Sequence, residues 1–211
     1  EGKVEITGNE FENNPYHIAS YGGSEEPLIE NNEFDKTVRV SAVSSGDAYI
    51  AGQLQPAVRF AAESSTVSVG PGEYNESVTI DTPNVTLEST AGADETTISA
   101  PEPGTSAIQV NAPNVVIDGI TIEASGTDSG LRVTGDGAQV ANNSFEAPPV
   151  DSFSERNTTD YGVWIDGAAG TSITDNQFTG GNGGIQVASG AEGTAIVGND
   201  IDSDITGIGQ G

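Results

Sequence analysis

No cysteine occurs in this chain, which excludes a disulfide framework and a thiolate metal site. There is one histidine, His17, so no cluster of two or more imidazoles can form within one chain. Basic residues are also scarce: 6 Lys and Arg stand against 32 Asp and Glu, for a net charge of -26. Binding to nucleic acid depends on Lys and Arg displacing counterions, so nucleic acid is not an expected partner. No apolar run approaches the roughly 20 residues that a membrane-spanning helix needs, so direct membrane insertion is not expected. The first residues, EGKVEITG, do not resemble a signal peptide. They begin in mid-pattern, as a mature or excised segment would.

So large an excess of one charge creates strong self-repulsion in dilute buffer. A disordered acidic tail would carry it, but the regular Val, Ile and Phe spacing argues for a packed core. Concentrated salt reconciles the two, because cations screen charges within about 3 Å at 1 M. The composition resembles that of halophilic archaeal proteins.

What the chain has in abundance is a returning phrase. Asn9, Asn32, Asn143, Asn176 and Asn199 each stand two residues before Phe11, Phe34, Phe145, Phe178 and Ile201. Three residues before them stand Ile6, Ile29, Val140, Ile173 and Ile196. The steps from Asn9 to Asn32 and from Asn176 to Asn199 are both 23 residues. A fixed step of this size marks a solenoid, each repeat being one coil stacked on the next. Ile18, Ile185 and Ile208 fall nine residues after their Asn, so each coil is expected to hold two or three short strands. An Asn tolerates left-handed backbone and bonds nearby main chain at sharp turns. The five Asn residues are therefore read as an internal structural ladder, with a sugar site as the competing reading.

One stretch has a different period. Residues 50 to 63, IAGQLQPAVRFAAE, place Ile50, Leu54, Val58 and Ala61 at helical spacing, with Pro56 near the start. The helix and the following VSVGPGEYNESVTI and NVTLEST resemble the start of right-handed parallel β-helix proteins. These form the pectate-lyase-like superfamily, with the NosD-like and carbohydrate-associated repeats of haloarchaeal surface proteins. The resemblance implies an all-β fold: a right-handed parallel β-helix with one short capping α-helix. It divides the chain into terminal coils over 1–48, a capping helix over 49–64 and a β-helix over 65–211 with an inserted loop at 146–160. The phrase runs off the C-terminus and resumes at the N-terminus after 21 residues if copies are joined, close to the normal step. A tandem array or a head-to-tail filament follows as the expected arrangement.

Catalytic residues are harder to find. Lyases and epimerases of the resembled superfamily need carboxylates for Ca²⁺ and a base, and its hydrolases need paired Asp residues. GVWIDGAAG resembles a pectate-lyase motif, but Gly167 stands where a His would follow Asp166. His17 has no acidic neighbour in the sequence and reads as an ordinary histidine. Trp164 beside Tyr161 reads as packing, with sugar stacking as the alternative, and Arg132 as a partner for a carboxylate on an adjacent coil. Asp202 with Asp204 is the weak candidate for Ca²⁺ or another surface-bound cation; no cofactor is expected. The sequons begin at Asn75, Asn84, Asn142 and Asn157, and Asn157 lies in the longest turn.

The resulting expectation is a non-enzymatic, extracellular structural or adhesive module of a halophilic archaeon, a cell-surface glycoprotein whose main partner is itself, with surface glycans as a further partner. The alternatives are a carbohydrate-active enzyme (a lyase, an epimerase or a glycoside hydrolase), a polysaccharide-binding domain, and a halovirus spike or tail fibre.

Overall fold

The structure is a computed structural model, and it describes residues 5–20, 28–41, 48–124, 129–148, 161–202 and 206–210. Over the described residues it is an all-β parallel β-helix with one short α-helix and a 3-10 turn at Ala93–Glu95. Chain order begins with β1 (Glu5–Thr7), β2 (Glu10–Phe11), β3 (Ile18–Ser20), β4 (Leu28–Glu30), β5 (Glu33–Phe34), β6 (Val38–Ser41), β7 (Ala48–Ala51) and helix α1 (Leu54–Phe60). Six coils of three strands each follow.

Those coils are β8 (Thr66–Val69), β9 (Gly72–Asn75) and β10 (Val78–Ile80); β11 (Thr86–Ser89), β12 (Thr96–Ser99) and β13 (Ile108–Val110); β14 (Val116–Asp118), β15 (Thr121–Glu123) and β16 (Leu131–Val133). The last three are β17 (Gln139–Ala141), β18 (Ser144–Glu146) and β19 (Tyr161–Ile165); β20 (Ser172–Thr174), β21 (Gln177–Thr179) and β22 (Gly183–Val187); β23 (Ala195–Val197), β24 (Asp200–Asp202) and β25 (Thr206–Gln210). Equivalent strands pair in parallel, so three sheets run the length of the stack.

Register converts the short alternating strands into continuous apolar columns. Val67, Leu87, Ile117, Val140, Ile173 and Ile196 pair in succession along one sheet. Tyr74, Ile98, Ile122, Phe145, Phe178 and Ile201 do so along the second. Val78, Ile108, Leu131, Val163, Ile185 and Ile208 line the third. Between coils, the Phe145 and Phe178 rings stack at 4.8 Å and 8°, an arrangement worth about 1 kcal/mol beyond area burial.

The helix is shorter than the spacing over 50–63 predicts. Ile50 belongs to β7, which is paired on both edges, with β3 and with β6. Gly52 ends that strand, and Gln53 supplies no side-chain cap. The cap comes from a distant residue: the Glu76 carboxylate accepts from the Leu54 N–H at 3.0 Å and the Gln55 N–H at 3.1 Å. The Gln55 side chain in turn pairs with both main-chain polar groups of Thr79, accepting from its N–H at 2.6 Å and donating to its carbonyl at 3.2 Å. An exposed edge of β10 would template aggregation, and this side chain occupies it. Leu54, Ala57 and Val58 are buried over the first coil.

The first two coils join the stack in an unexpected sense. β4 and β5 lie parallel to β1 and β2, as repeats do, but β6 runs antiparallel to β8. β7 lies between β3 and β6, antiparallel to both. Residues directly opposite share a face of a sheet. Val38, Val40 and Ala51 therefore face the main core, together with Val67 and Val69. Ile18 and Ile50 pair with each other on the opposite face, where they too are buried. One sheet thus carries buried residues on both faces, and β6, β7 and β3 extend it beyond β8.

Candidate functional site

The recurring Asn residues form two hydrogen-bonded ladders along the axis. Asn143 donates its main-chain N–H to Asn176 Oδ1 at 2.9 Å and its amide to the same oxygen at 3.1 Å. Asn176 repeats both bonds to Asn199 Oδ1, each at 2.9 Å. In the N-terminal coils Asn9 makes them to Asn32 Oδ1, at 2.9 and 3.0 Å. Left-handed backbone falls one residue before each Asn: on Gly8, Asn31, Asn142, Asp175 and Gly198, with φ from 55° to 72°. The ladder Asn is therefore the residue that satisfies the turn, while its predecessor makes it. Ile120, preceded by Gly119 at φ 67°, occupies a further rung and donates its N–H to Asn143 Oδ1 at 3.0 Å. An Ile has no amide, so this rung left no mark in the repeated phrase.

The described sequons differ in what holds them. Asn84 donates to Glu63 Oε1 at 2.9 Å and accepts from Asn114 at 3.1 Å. Asn142 donates to Asp118 at 2.8 Å. Asn75 is exposed and lines a cleft. Asn157 lies outside the described residues, as do 149–160 of the inserted loop and Asp204. Asp202 stands exposed on β24, its carbonyl accepting from the Gly180 N–H at 3.0 Å.

A cation–aromatic cluster stands on the outer face of the third sheet. Arg132 and Trp164 are register partners, and the guanidinium lies 4.6 Å from the indole centre. Arg132 also donates to Asp166 Oδ2 at 2.6 Å, with both side chains about one third exposed. Asp166 and Trp164 are thus occupied with each other's neighbour Arg132. On the second sheet Glu123 pairs in register with Glu146, beside a cavity of about 280 Å³. Burial, and then the Glu146 charge, push the Glu123 carboxyl above its ordinary range.

A further cluster of polar side chains lies where the N-terminal coils meet the main stack. A cleft of about 300 Å³ there is lined by Asn13, Asn14, Asp35, Lys36, Gly52, Gln53, Asn75 and Glu76. Behind it the His17 ring is fully buried, edge-on to the stacked Phe11 and Phe34 rings at 5.6 and 5.4 Å. The acidic neighbour missing from the sequence is present in space: Asp35 Oδ1, from the next coil, lies 3.5 Å from His17 Nε2. That is long for a hydrogen bond. Burial holds the imidazole below its ordinary pKa, with Asp35 opposing. Asp35 itself is held low, chiefly by the Asn13 N–H donating to Oδ2 at 2.7 Å, with the Lys36 N–H on Oδ1 at 2.8 Å. The Lys36 ammonium donates to the Glu73 carbonyl and lies 5.1 Å from the Tyr74 ring centre. Burial pushes the Tyr74 phenol up to about 12.

Among the described residues no three His, Asp or Glu side chains converge on one point, and no helix is long and apolar enough to cross a membrane. Comparison with protein-family models, with curated proteins and with solved structures returns no match.

Proposed function

We propose that this chain is a non-enzymatic structural module of an extracellular surface assembly, extended by stacking coil on coil in concentrated salt. The reading covers two geometries: copies in tandem along one polypeptide, and separate copies stacked head to tail. The acidic composition supports a halophilic archaeal source in this reading.

The observation that carries it is the complementarity of two edges. Among the described residues β23 and β24 are paired on one side only, as are β1 and β2, and all four belong to coils of the same strand order. The Asn ladder has a polarity, each N–H answered by the Oδ1 one coil later. By that pattern the acceptor for the Asn199 N–H is an Asn one coil further on, and Asn9 Oδ1 receives from one coil earlier. Asn199 stacked against Asn9 satisfies both, in parallel register. Val197 and Ile208, 62% and 49% exposed, supply apolar surface at the same edge. A heterologous contact of this kind propagates instead of closing.

Sedimentation and electron microscopy of the chain in molar salt test the reading. Concentration-dependent, elongated assemblies are expected, and a Val197→Lys, Ile208→Lys variant should remain monomeric while retaining its β-sheet signal. A monodisperse monomer at high protein concentration would sink it.

A further inference from the structure

We propose that Asn75 is an N-glycan acceptor, and that of the three described sequons it is the one the fold leaves open to modification. The ligand class is an oligosaccharide attached through its first pyranose. The inference rests on the extracellular part of the reading above, because sequon modification belongs to secreted proteins.

The first ground is what holds each Asn. Asn84 and Asn142 both have left-handed backbone, at φ 58° and 57°. Their main-chain N–H groups donate to an adjoining coil, to the Pro113 carbonyl at 3.0 Å and to the Thr174 carbonyl at 3.3 Å. Their side-chain amides donate to Glu63 and Asp118, and Asn84 Oδ1 also accepts from Asn114. Presenting either sequon to a transferase means breaking a corner that is bonded to its neighbours. Asn75 instead ends β9 in extended backbone, its side chain exposed and its amide without a hydrogen bond among the described residues.

The second ground is the place of the sequon in the fold. Among the described residues β9 is the terminal strand of the second sheet, paired with β12 alone. A strand at an edge opens locally at a lower free energy than one inside the stack. Within the sequon Asn75-Glu76-Ser77, the Glu76 carboxylate is turned to the start of α1, and the residues on either side of it are exposed. The Ser77 hydroxyl, which a sequon requires, lies at the surface 3.3 Å from Thr105 Oγ1.

The third ground is room. Asn75 lines the cleft of about 300 Å³, the size of the smallest ligand pockets. Asn13, Asn14 and Gln53 share that lining and supply amide donors and acceptors of the kind that sugar hydroxyls bond.

In the transfer, the Asn75 amide nitrogen forms a C–N bond to the anomeric carbon of a lipid-phosphate-linked oligosaccharide. The anomeric C–O bond breaks, the lipid phosphate leaves with the bonding pair, and one amide proton is lost to solvent.

The test is export of the full chain from a halophilic archaeal host that makes such donors, followed by mass spectrometry of the sequon peptides. Forced export supplies donor and transferase whatever the native location of the chain. The Asn75 peptide should carry the glycan, and the Asn84 and Asn142 peptides should not. Asn75→Gln and Ser77→Ala, both at exposed positions, should each abolish the modification and leave the far-ultraviolet circular dichroism unchanged. A bare Asn75 peptide would overturn the proposal, as would glycan on Asn84 or Asn142 at the level found on Asn75. Sedimentation of the unglycosylated chain tests the assembly separately, so the two readings fail independently.

Discussion

Asn143 and Asn176 are buried one above the other in successive coils, and the single Oδ1 of Asn176 answers both the main-chain and side-chain N–H groups of Asn143. Asn176 also donates to the Val140 and Thr174 carbonyls, each at 2.9 Å. Asn176→Ala therefore strands several buried polar groups at once. A loss of about 3 kcal/mol is expected in urea unfolding, against less than about 1 kcal/mol for Asn9→Ala, whose side chain is exposed. Equal losses at both positions would contradict the role given to burial.

Gly162 is fitted against the aromatic column. A Cβ there would lie 2.5 Å from the Phe178 ring and 2.9 Å from Phe145 Cβ. Gly162→Ala should cost about 1–3 kcal/mol by overpacking. Adding Phe178→Leu should then cost less than it does in the parent chain, a coupling that a double-mutant cycle measures.

Arg132 covers Trp164, the only tryptophan. The ion pair with Asp166 is about one third exposed and screened by solvent, so Arg132→Ala should cost less than about 1 kcal/mol. Emission from Trp164 should nonetheless move to longer wavelength, as the uncovered indole meets water. An unchanged spectrum would show that the guanidinium does not lie over the ring in solution.

Glu123 gives a pH dependence with a defined sign. Its pKa is raised in the fold, so between the unfolded value, about 4.5, and the higher folded value the native state binds more protons. Its contribution is fully present below that window and is lost as pH rises through it. Glu123→Gln should raise the melting temperature at pH 7 and leave it unchanged near pH 3.5. A gain of equal size at both pH values would point to a cause other than titration.

The acidic surface makes salt a structural variable. Lowering ionic strength from about 1 M to about 0.01 M lengthens the screening distance from about 3 Å to about 30 Å. With a net charge of -26 the fold should then lose its far-ultraviolet circular dichroism. Retention of the signal in dilute buffer would remove the halophilic part of the reading.

Much of the solenoid could be read in advance, and the reason is local. Phe145 and Phe178, or Ile173 and Ile196, recur at the coil step because each must fill the same place in a stacked column. Where a coil lacked the phrase, as at Ile120, the rung was invisible although the main chain still occupied it. The helix was legible as a helix, but its start was not. Ile50 suits a helix face and a strand equally, and only pairing with β3 and β6 decides between them.

The juxtaposition of His17 with Asp35 has no sequence signal of this kind, since 17 and 35 lie in different coils and neither belongs to the repeat. Periodicity determined by itself that this chain is a stack of parallel coils, with Asn and Phe columns inside and carboxylates outside. Only the tertiary structure decided that the first two coils join through the antiparallel pairing of β6 with β8, one sheet burying Val40 on one face and Ile50 on the other. The physical reason is that alternation specifies which side chains leave water. It does not specify which edge a strand meets, or in which direction, and those choices are made by contacts between residues far apart in the chain.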